Sequence, residues 1–410
     1  MSIATWVRHA ELGDLVGLLN AQHAAKLDVV APASALRASD GLLQLSGVEP
    51  VLDERGFTLV DGLYRPTAAA DSHLGSKLKI PVGYLKWLRE ESRTDLYDAN
   101  INGLLHGCNA PRLPSTGDDR SFLLRLFTSG VPDEPGILRA VLSDRYGIID
   151  NLDVLTAVLE GIRQADADVS VRSCDLTESS MHCKVYSPKV RALAPGFLAN
   201  YRTPFGNPDL EAERRRATGE LARWRPVAAR EGHGYRPGSE PIVFAGFRFS
   251  NSEIGHHAVT LKPELVVQIC GNGLTLPMFA YTKRHIGDRL DVGGSWSQDT
   301  YRKRLAVITA ETRDKVAEWL SPEFLAARVT ELERHAATPV AHPERTIEVV
   351  SKKLGFTDDE RSGILDHFIA GGQLTAAGIA NAVTSYSQTI PDADRADTLD
   401  DLALQAMSLV

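Results

Sequence analysis

Between residues 121 and 270 the chain carries three successive pairs of short apolar or alternating runs, and this pattern constrains the fold more than any other feature. SFLLRLFTS (121–129) and ILRAVLS (137–143) flank the proline- and glycine-bearing VPDEPG, as the arms of a β-hairpin do. DVSVRSCDL (168–176) and SMHCKVYSP (180–188) alternate apolar with polar residues, the pattern of a half-buried hairpin. IVFAGFRFSNSE (242–253) and HHAVTLKPELVVQIC (256–270) make the third pair. One helix is predicted between the first two pairs, where Asp150 or Asn151 can cap a stripe of Leu152, Leu155, Val158, Leu159 and Ile162. Hairpins in place of strand-helix-strand units predict an α+β fold with a largely antiparallel sheet packed with helices, and argue against a doubly wound nucleotide fold.

The flanks read differently. Residues 8–27 have helical spacing through Leu12, Leu15, Val16, Leu19 and Ala24. GLLQLSG (41–47), GFTLV (56–60) and Leu63-Tyr64 read as small strands, with Asp61-Gly62 as a tight hairpin turn. Thr67 can cap a helix to about Leu78, Pro81 suits the first turn of the next, and Leu85, Leu88, Leu96 and Leu104 continue helical spacing to His106. From 297 onward the chain reads as helical. Ser297 can cap, Trp296 and Tyr301 can staple, and Leu305, Ile308, Val316 and Trp319 follow, with a restart at Pro322. HAATPVAHPE (335–344) is a linker before a bundle of short helices near 344–354, 358–370, 375–389 and 395–409. Three regions follow: a mainly helical 1–110 with a small β segment, a central α+β domain 111–336 with a basic excursion at 202–236, and a helical bundle 337–410 with an acidic tail.

With 43% hydrophobic and 24% charged residues, 410 residues allow two or three globular domains and exclude wholesale disorder. No apolar run approaches the ~20 residues that span a bilayer. MSIATWVRHAELGDL lacks the basic start and apolar core of a signal peptide, so a cytoplasmic location without membrane partners is expected. Cys108, Cys174, Cys183 and Cys270 have no CxxC spacing and are expected as reduced thiols.

The net charge of −8 argues against a protein that coats nucleic acid with its whole surface, but two local runs are basic. Residues 202–236 hold arginines at 202, 214, 215, 216, 223, 225, 230 and 236 against acids at 209, 211, 213, 220 and 231. Such arginines pair with phosphates whatever the base sequence, and Trp224 or Tyr235 can stack on unpaired bases. The bland alternative is a solvated, salt-bridged helix, since Glu211, Glu213 and Glu220 interleave. Residues 283–304 hold Lys283, Arg284, His285, Arg289, Arg302, Lys303 and Arg304 against three aspartates, and can line a groove or simply decorate a helix start.

Other motifs are weaker. His106-x-Cys108, Cys174 with His182-Cys183, and His256-His257 near Cys270 lack zinc spacing, and adjacent strand residues point to opposite faces. Gly271-Asn272-Gly273 follows an apolar strand but lacks the rest of a phosphate loop, so it reads as a turn needing positive φ. No cofactor is expected. GQLTAAGIANAVTSYSQ (372–388) has the look of a recognition helix, although Leu374, Ile379, Ala382, Val383 and Tyr386 have core spacing. A hydrolase using Asp144, Asp150 and His285 has no supporting metal pattern, and Asp144, Arg145 and Asp150 read equally as strand-end and capping residues.

The chain resembles the phage- and plasmid-borne family known as domain of unknown function 932. The likeness is carried by YRPTAAADSHLGSKLKIPVGYLKWL, AVLSDRYGIIDNLDVL, FRFSNSEIGHHAVTLKPELVVQICGNGLTL, KRHIGDRL and LTAAGIANAVTSYSQ, spanning roughly 64–388. Asn251-Ser252 and the strand Val266-Val267-Gln268-Ile269-Cys270-Gly271-Asn272 occupy family positions, while Glu264-Leu265 stands where the family usually has arginine. The resemblance implies a setting in DNA replication or recombination. A hairpin-rich core with a basic excursion also looks like phage single-strand annealing proteins, at the level of fold.

The expectation is therefore a non-enzymatic, phage-type protein, homo-oligomeric, that binds single-stranded nucleic acid and promotes annealing. Arg214, Arg215, Arg216, Arg223, Trp224 and Arg225 would hold the strand, and Lys283, Arg284, His285, Arg302, Lys303 and Arg304 would line its groove. The alternative is a factor that captures a host or replication protein through its acidic C-terminus, with Asp392, Asp394, Asp397, Asp400 and Asp401 beside Leu399, Leu402, Met407 and Leu409.

Overall fold

The alternating strands sort into two main sheets. The computed structural model describes residues 4–53, 56–110, 113–131, 134–219, 240–283 and 298–410. In chain order the strands are β1 (Val7–Ala10), β2 (Lys26–Pro32), β3 (Leu36–Ser39), β4 (Leu42–Leu45), β5 (Val51–Asp53), β6 (Gly56–Thr58), β7 (Gly62–Pro66), β8 (Gly107–Ala110), β9 (Leu113–Thr116), β10 (Ser121–Phe127), β11 (Gly136–Ser143), β12 (Ser170–Leu176), β13 (Met181–Leu193), β14 (Ile242–Asn251), β15 (Val259–Val267), β16 (Gly273–Thr275) and β17 (Tyr281–Lys283). The helices are α1 (Leu12–Ala25), α2 (Ala68–Leu78), α3 (Val82–Glu90), α4 (Thr94–His106), α5 (Asn151–Gln164), α6 (Pro208–Thr218), α7 (Gln298–Trp319), α8 (Pro322–Ala336), α9 (Pro343–Leu354), α10 (Asp358–Gly371), α11 (Ala376–Ser387) and α12 (Ala393–Ser408).

The larger sheet runs β1-β12-β13-β14-β15-β16, antiparallel throughout, with β17 also on β15. The smaller runs β2-β10-β11-β7-β4-β3 and is antiparallel except for β11 on β7. This is an α+β fold, as the hairpin pattern implies. All three strand pairs form, α5 lies between the first two, and the four terminal helices follow the linker.

Four expectations change. The β10–β11 hairpin, read with the central domain, instead completes the sheet of the N-terminal region: Leu124 pairs with Val29, and Leu124, Leu126, Leu138 and Val141 share a core with Leu74, Leu85, Leu88 and Ile101 of α2–α4. That region is accordingly less helical than its apolar spacing suggests. The single helix expected over 8–27 is β1, α1 and the start of β2, because Val7 and Ala10 pair with Leu176 and Cys174, and Lys26–Pro32 pairs along β10. Finally, Asp61-Gly62 does not turn a hairpin; the Asp61 carboxylate accepts from the N–H groups of Gly47 and Val48 at 2.8 and 2.9 Å. The tight turn is Asp40-Gly41 between β3 and β4, where both residues have positive φ (51° and 73°) and Ser39 pairs with Leu42.

Thr67 caps α2 as read, its hydroxyl accepting from Ala70 N–H at 3.1 Å. The main core lies on one face of the larger sheet. Cys183, Val185, Phe247, Phe249 and Leu261 pack there with Val154, Leu155 and Val158 of α5 and Ile308, Val316 and Trp319 of α7. Gly161 lets α5 and α7 approach closely, for a Cβ there would sit 2.7 Å from the Thr309 carbonyl.

Candidate functional site

Strand alternation decides what lies on the other face. With Cys183, Val185, Phe247, Phe249 and Leu261 turned to the core, His182, Lys184, Arg248 and Lys262 face the opposite way. Register sets Lys184 opposite Arg248 and Arg248 opposite Lys262, a row of cations across three strands. Like charges directly opposite destabilise a sheet. The counter-charge comes from α12, where Asp394, Asp397 and Asp401 recur at helical steps on one face, while Ala396, Leu399, Ala403 and Ala406 are buried. Leu399, Ala403 and Ala406 belong to the core of the terminal bundle.

Asp394 accepts from Thr177 Oγ1 at 3.0 Å and lies 2.7 Å from His182 Nε2. Asp397 lies 3.3 Å from His182 Nδ1 and pairs with Arg248. Asp400 holds Lys184 Nζ at 2.9 Å; Asp401 holds Arg248 Nη2 at 3.0 Å and pairs with Lys262. The Arg248 side chain is 1% exposed, a burial that a charge survives only when paired. Burial alone would lower the His182 pKa, but Asp397 and Asp394 outweigh it and push it up to about 9. At neutral pH His182 is therefore an imidazolium between two carboxylates, and it has no free nitrogen with which to act as a base. These carboxylates, read as an exposed docking face for a partner protein, are turned inward; of its apolar residues, Leu399 and Met407 are buried.

A second charged cluster joins the two sheets. Beyond β14, Glu253 Oε1 accepts from Asn151 N–H at 2.6 Å, its carbonyl accepts from Arg125 Nη1 at 2.9 Å, and its other carboxylate oxygen pairs with Arg139. Arg125, fully buried on β10, also reaches Asp28 at 2.9 Å and Asp150 at 2.6 Å, and Lys26 pairs with Asp150. Burial raises the Asp150 pKa, but Arg125 and Lys26 outweigh it and hold the carboxyl well below the usual range. Asp150 is the N-cap residue of α5, yet its side chain makes no capping hydrogen bond. The family-like pair Asn251-Ser252 sits in this joint: Asn251 Nδ2 donates to Asn151 Oδ1 at 2.8 Å, and Ser252 Oγ to the Ser179 carbonyl at 2.7 Å. A small cleft beside it is lined by Gln22, His23, Lys26, Phe127 and Arg139.

The basic residues singled out from sequence fall in two places. Arg214, Arg215 and Arg216 lie on α6: Arg214 covers the Phe205 ring at 4.0 Å and pairs with Glu211 at 2.7 Å, Arg215 pairs with Glu211 at 3.1 Å, and both Arg215 and Arg216 are exposed. The chain leading to α6 lies by the β15–β16 turn, where Asn272 Nδ2 donates to Tyr201 Oη at 3.2 Å. Lys283 lies at the other end of the sheet, opposite Val259 and 3.9 Å from Glu311. Arg302 and Lys303 are exposed on the first turns of α7, Lys303 paired with Asp299 at 2.6 Å, and Arg304 is half-buried. Tyr301 anchors this turn by donating to Asp153 at the start of α5. The two groups lie on separate elements, α6 on one hand and β17 with the first turns of α7 on the other. Arg223, Trp224, Arg225, Arg284 and His285 lie outside the described residues.

The remaining candidates resolve simply. The helix at 376–387 is buried at every residue and cannot enter a DNA groove. Gly271 has the positive φ expected of a turn, 69°. Among the described residues no group of three or more His, Cys, Asp or Glu is placed to hold a metal. Cys174 and Cys183 are opposite one another and buried; burial pushes the Cys183 thiol up, and that of Cys270 up to about 11. Asp150 is committed to Arg125 and Lys26, and His285 lies outside the described residues, so the hydrolase set is not assembled among them. Among the described residues no helix is long and apolar enough to cross a membrane.

No protein-family model, curated protein or solved structure matches the chain. What sequence reasoning missed is the pairing of α12 with the sheet. Both halves were visible, as cations at alternate positions in 182–184 and 248 and as aspartates spaced three and four apart from 394, but nothing local says that they meet.

Proposed function

We propose that the protein binds single-stranded nucleic acid through two groups of exposed cations on separate elements. The observation that carries this reading is that Arg215 and Arg216 on α6, and Arg302 and Lys303 on the first turns of α7, are all exposed. Their nearby carboxylates, Glu211 and Asp299, make surface ion pairs, which are weak and exchange readily for phosphate. A flexible single strand can follow two separated contacts that a rigid duplex cannot follow as easily. Annealing of complementary strands and assembly into homo-oligomers belong to the same proposal, drawn from the family-like motifs and the phage-type setting they imply.

The test is binding of a labelled single strand of about 30 nucleotides by the double variants Arg215→Ala/Arg216→Ala and Arg302→Ala/Lys303→Ala. Each variant is expected to weaken binding and to flatten the slope of log K against log salt by about 1.4, from roughly 0.7 per lost phosphate contact. Slopes equal to that of the unaltered chain would reject both groups as contact sites.

A further inference from the structure

The covered face of the larger sheet raises the question of why a row of cations was placed there at all. Lys184, Arg248 and Lys262 stand directly opposite one another on β13, β14 and β15, with His182 one position along the same face of β13. Apolar residues at these positions would pack beneath a helix without need of counter-ions, and the same face does turn apolar further along, at Tyr186, Phe244 and Val266. On the same face Asp175, opposite His182, pairs with Arg8, and Glu264 pairs with Arg172. The partners of His182, Lys184, Arg248 and Lys262, namely Asp394, Asp397, Asp400 and Asp401, all come from α12.

A line of carboxylates along α12, with Asp394 and Asp401 separated by ~10 Å of helix, presents to the sheet what consecutive phosphates of an extended strand would present. Arg248 is suited to either partner. Its guanidinium already spreads over Asp397, Asp400, Asp401 and the Thr275 hydroxyl, as it would over phosphate oxygens.

We propose that His182, Lys184, Arg248 and Lys262 form a second phosphate-binding site, and that α12 occupies it as an internal polyanion which single-stranded nucleic acid displaces. The ligand class rests on the nucleic-acid reading above; the existence of the masked site does not. In the resting chain α12 thus limits binding to the exposed cations, and a bound strand that reaches the face competes with the four aspartates.

The experiment uses the full chain bearing Asp397→Asn/Asp401→Asn, which keeps shape and hydrogen-bonding capacity but removes two charges. Two probes are titrated in a salt series: a single strand of about 30 nucleotides and inorganic tripolyphosphate. The expected result is at least a tenfold gain in affinity for the strand over the unaltered chain, with a salt slope steeper by about 1.4. A gain for tripolyphosphate alone supports the masked anion site while overturning nucleic acid as its ligand; binding at the exposed cations is judged separately, by the variants of Arg215, Arg216, Arg302 and Lys303. No gain for either probe, with circular dichroism showing the variant folded, overturns the site. Should the variant unfold, hydrogen exchange on the unaltered chain decides. Saturating strand should deprotect residues 393–408 if α12 is displaced, and unchanged or increased protection there would overturn the proposal.

Discussion

At the scale of single residues, the proton on His182 is held by Asp394 and Asp397, and the pKa of about 9 makes that proton a source of stability. Because the folded-state pKa lies above the ordinary value of 6.5, the stabilisation is fully present below pH 6.5 and is lost as pH rises through 9. Other histidines act in the opposite sense. Burial holds His9 at about 3 and His73 and His367 at about 4, so the unfolded chain takes up protons that the folded chain refuses as pH falls below 6.5. Urea unfolding across pH should therefore show stability falling on both sides of a maximum near neutrality, and His182→Gln should flatten the alkaline limb while leaving the acid limb. An alkaline limb of unchanged slope would contradict the assignment. Arg125 carries a different expectation. It is fully buried among Asp28, Asp150 and Glu253, so Arg125→Met leaves carboxylates without their central partner and should cost about 3–5 kcal/mol of unfolding free energy, read from the urea midpoint.

At the scale of elements, two Asp-Gly pairs show what a local signal can and cannot settle. Asp40-Gly41 turns the β3–β4 hairpin, and a Cβ on Gly41 would lie 2.9 Å from Thr94 Cγ2 besides forcing φ to +73°. Gly41→Ala should therefore destabilise by more than about 1 kcal/mol in thermal or urea unfolding, whereas Gly47→Ala, with the same sign of φ but nothing within 4 Å, should lose less. The Asp61-Gly62 pair was equally legible and equally plausible, yet the carboxylate of Asp61 serves the backbone at 47–48. Paired apolar or alternating runs gave β10–β15, three- and four-residue spacing gave α5, and glycine and proline breaks marked α9–α12, because these signals report burial and chain reversal locally. The split of 8–27 into strand, helix and strand was hidden. Val7, Ala10 and residues 26–32 take extended form only because β12 and β10 offer them edges far away in sequence. Long-range pairing, which local propensity does not encode, also hid the docking of α12 on β13–β15.

At the scale of the whole molecule, the chain is two sheets bolted together by the Glu253 joint, with one sheet face given to an apolar core and the other to charge. The charges on that face balance those of α12, so a net charge of −8 coexists with a cationic sheet that the composition conceals. Basic segments were legible as runs of arginine and lysine. That they fall on separate elements, α6 and the first turns of α7, was not. The central claim, that this surface engages single-stranded nucleic acid through phosphate contacts, is tested most directly by fluorescence anisotropy of the unaltered full chain. A labelled strand of about 30 nucleotides and its duplex are compared from about 50 to 200 mM salt. The expected result is preference for the single strand with affinity falling steeply as salt rises; absence of binding at the lowest salt, or affinity indifferent to salt, would contradict it.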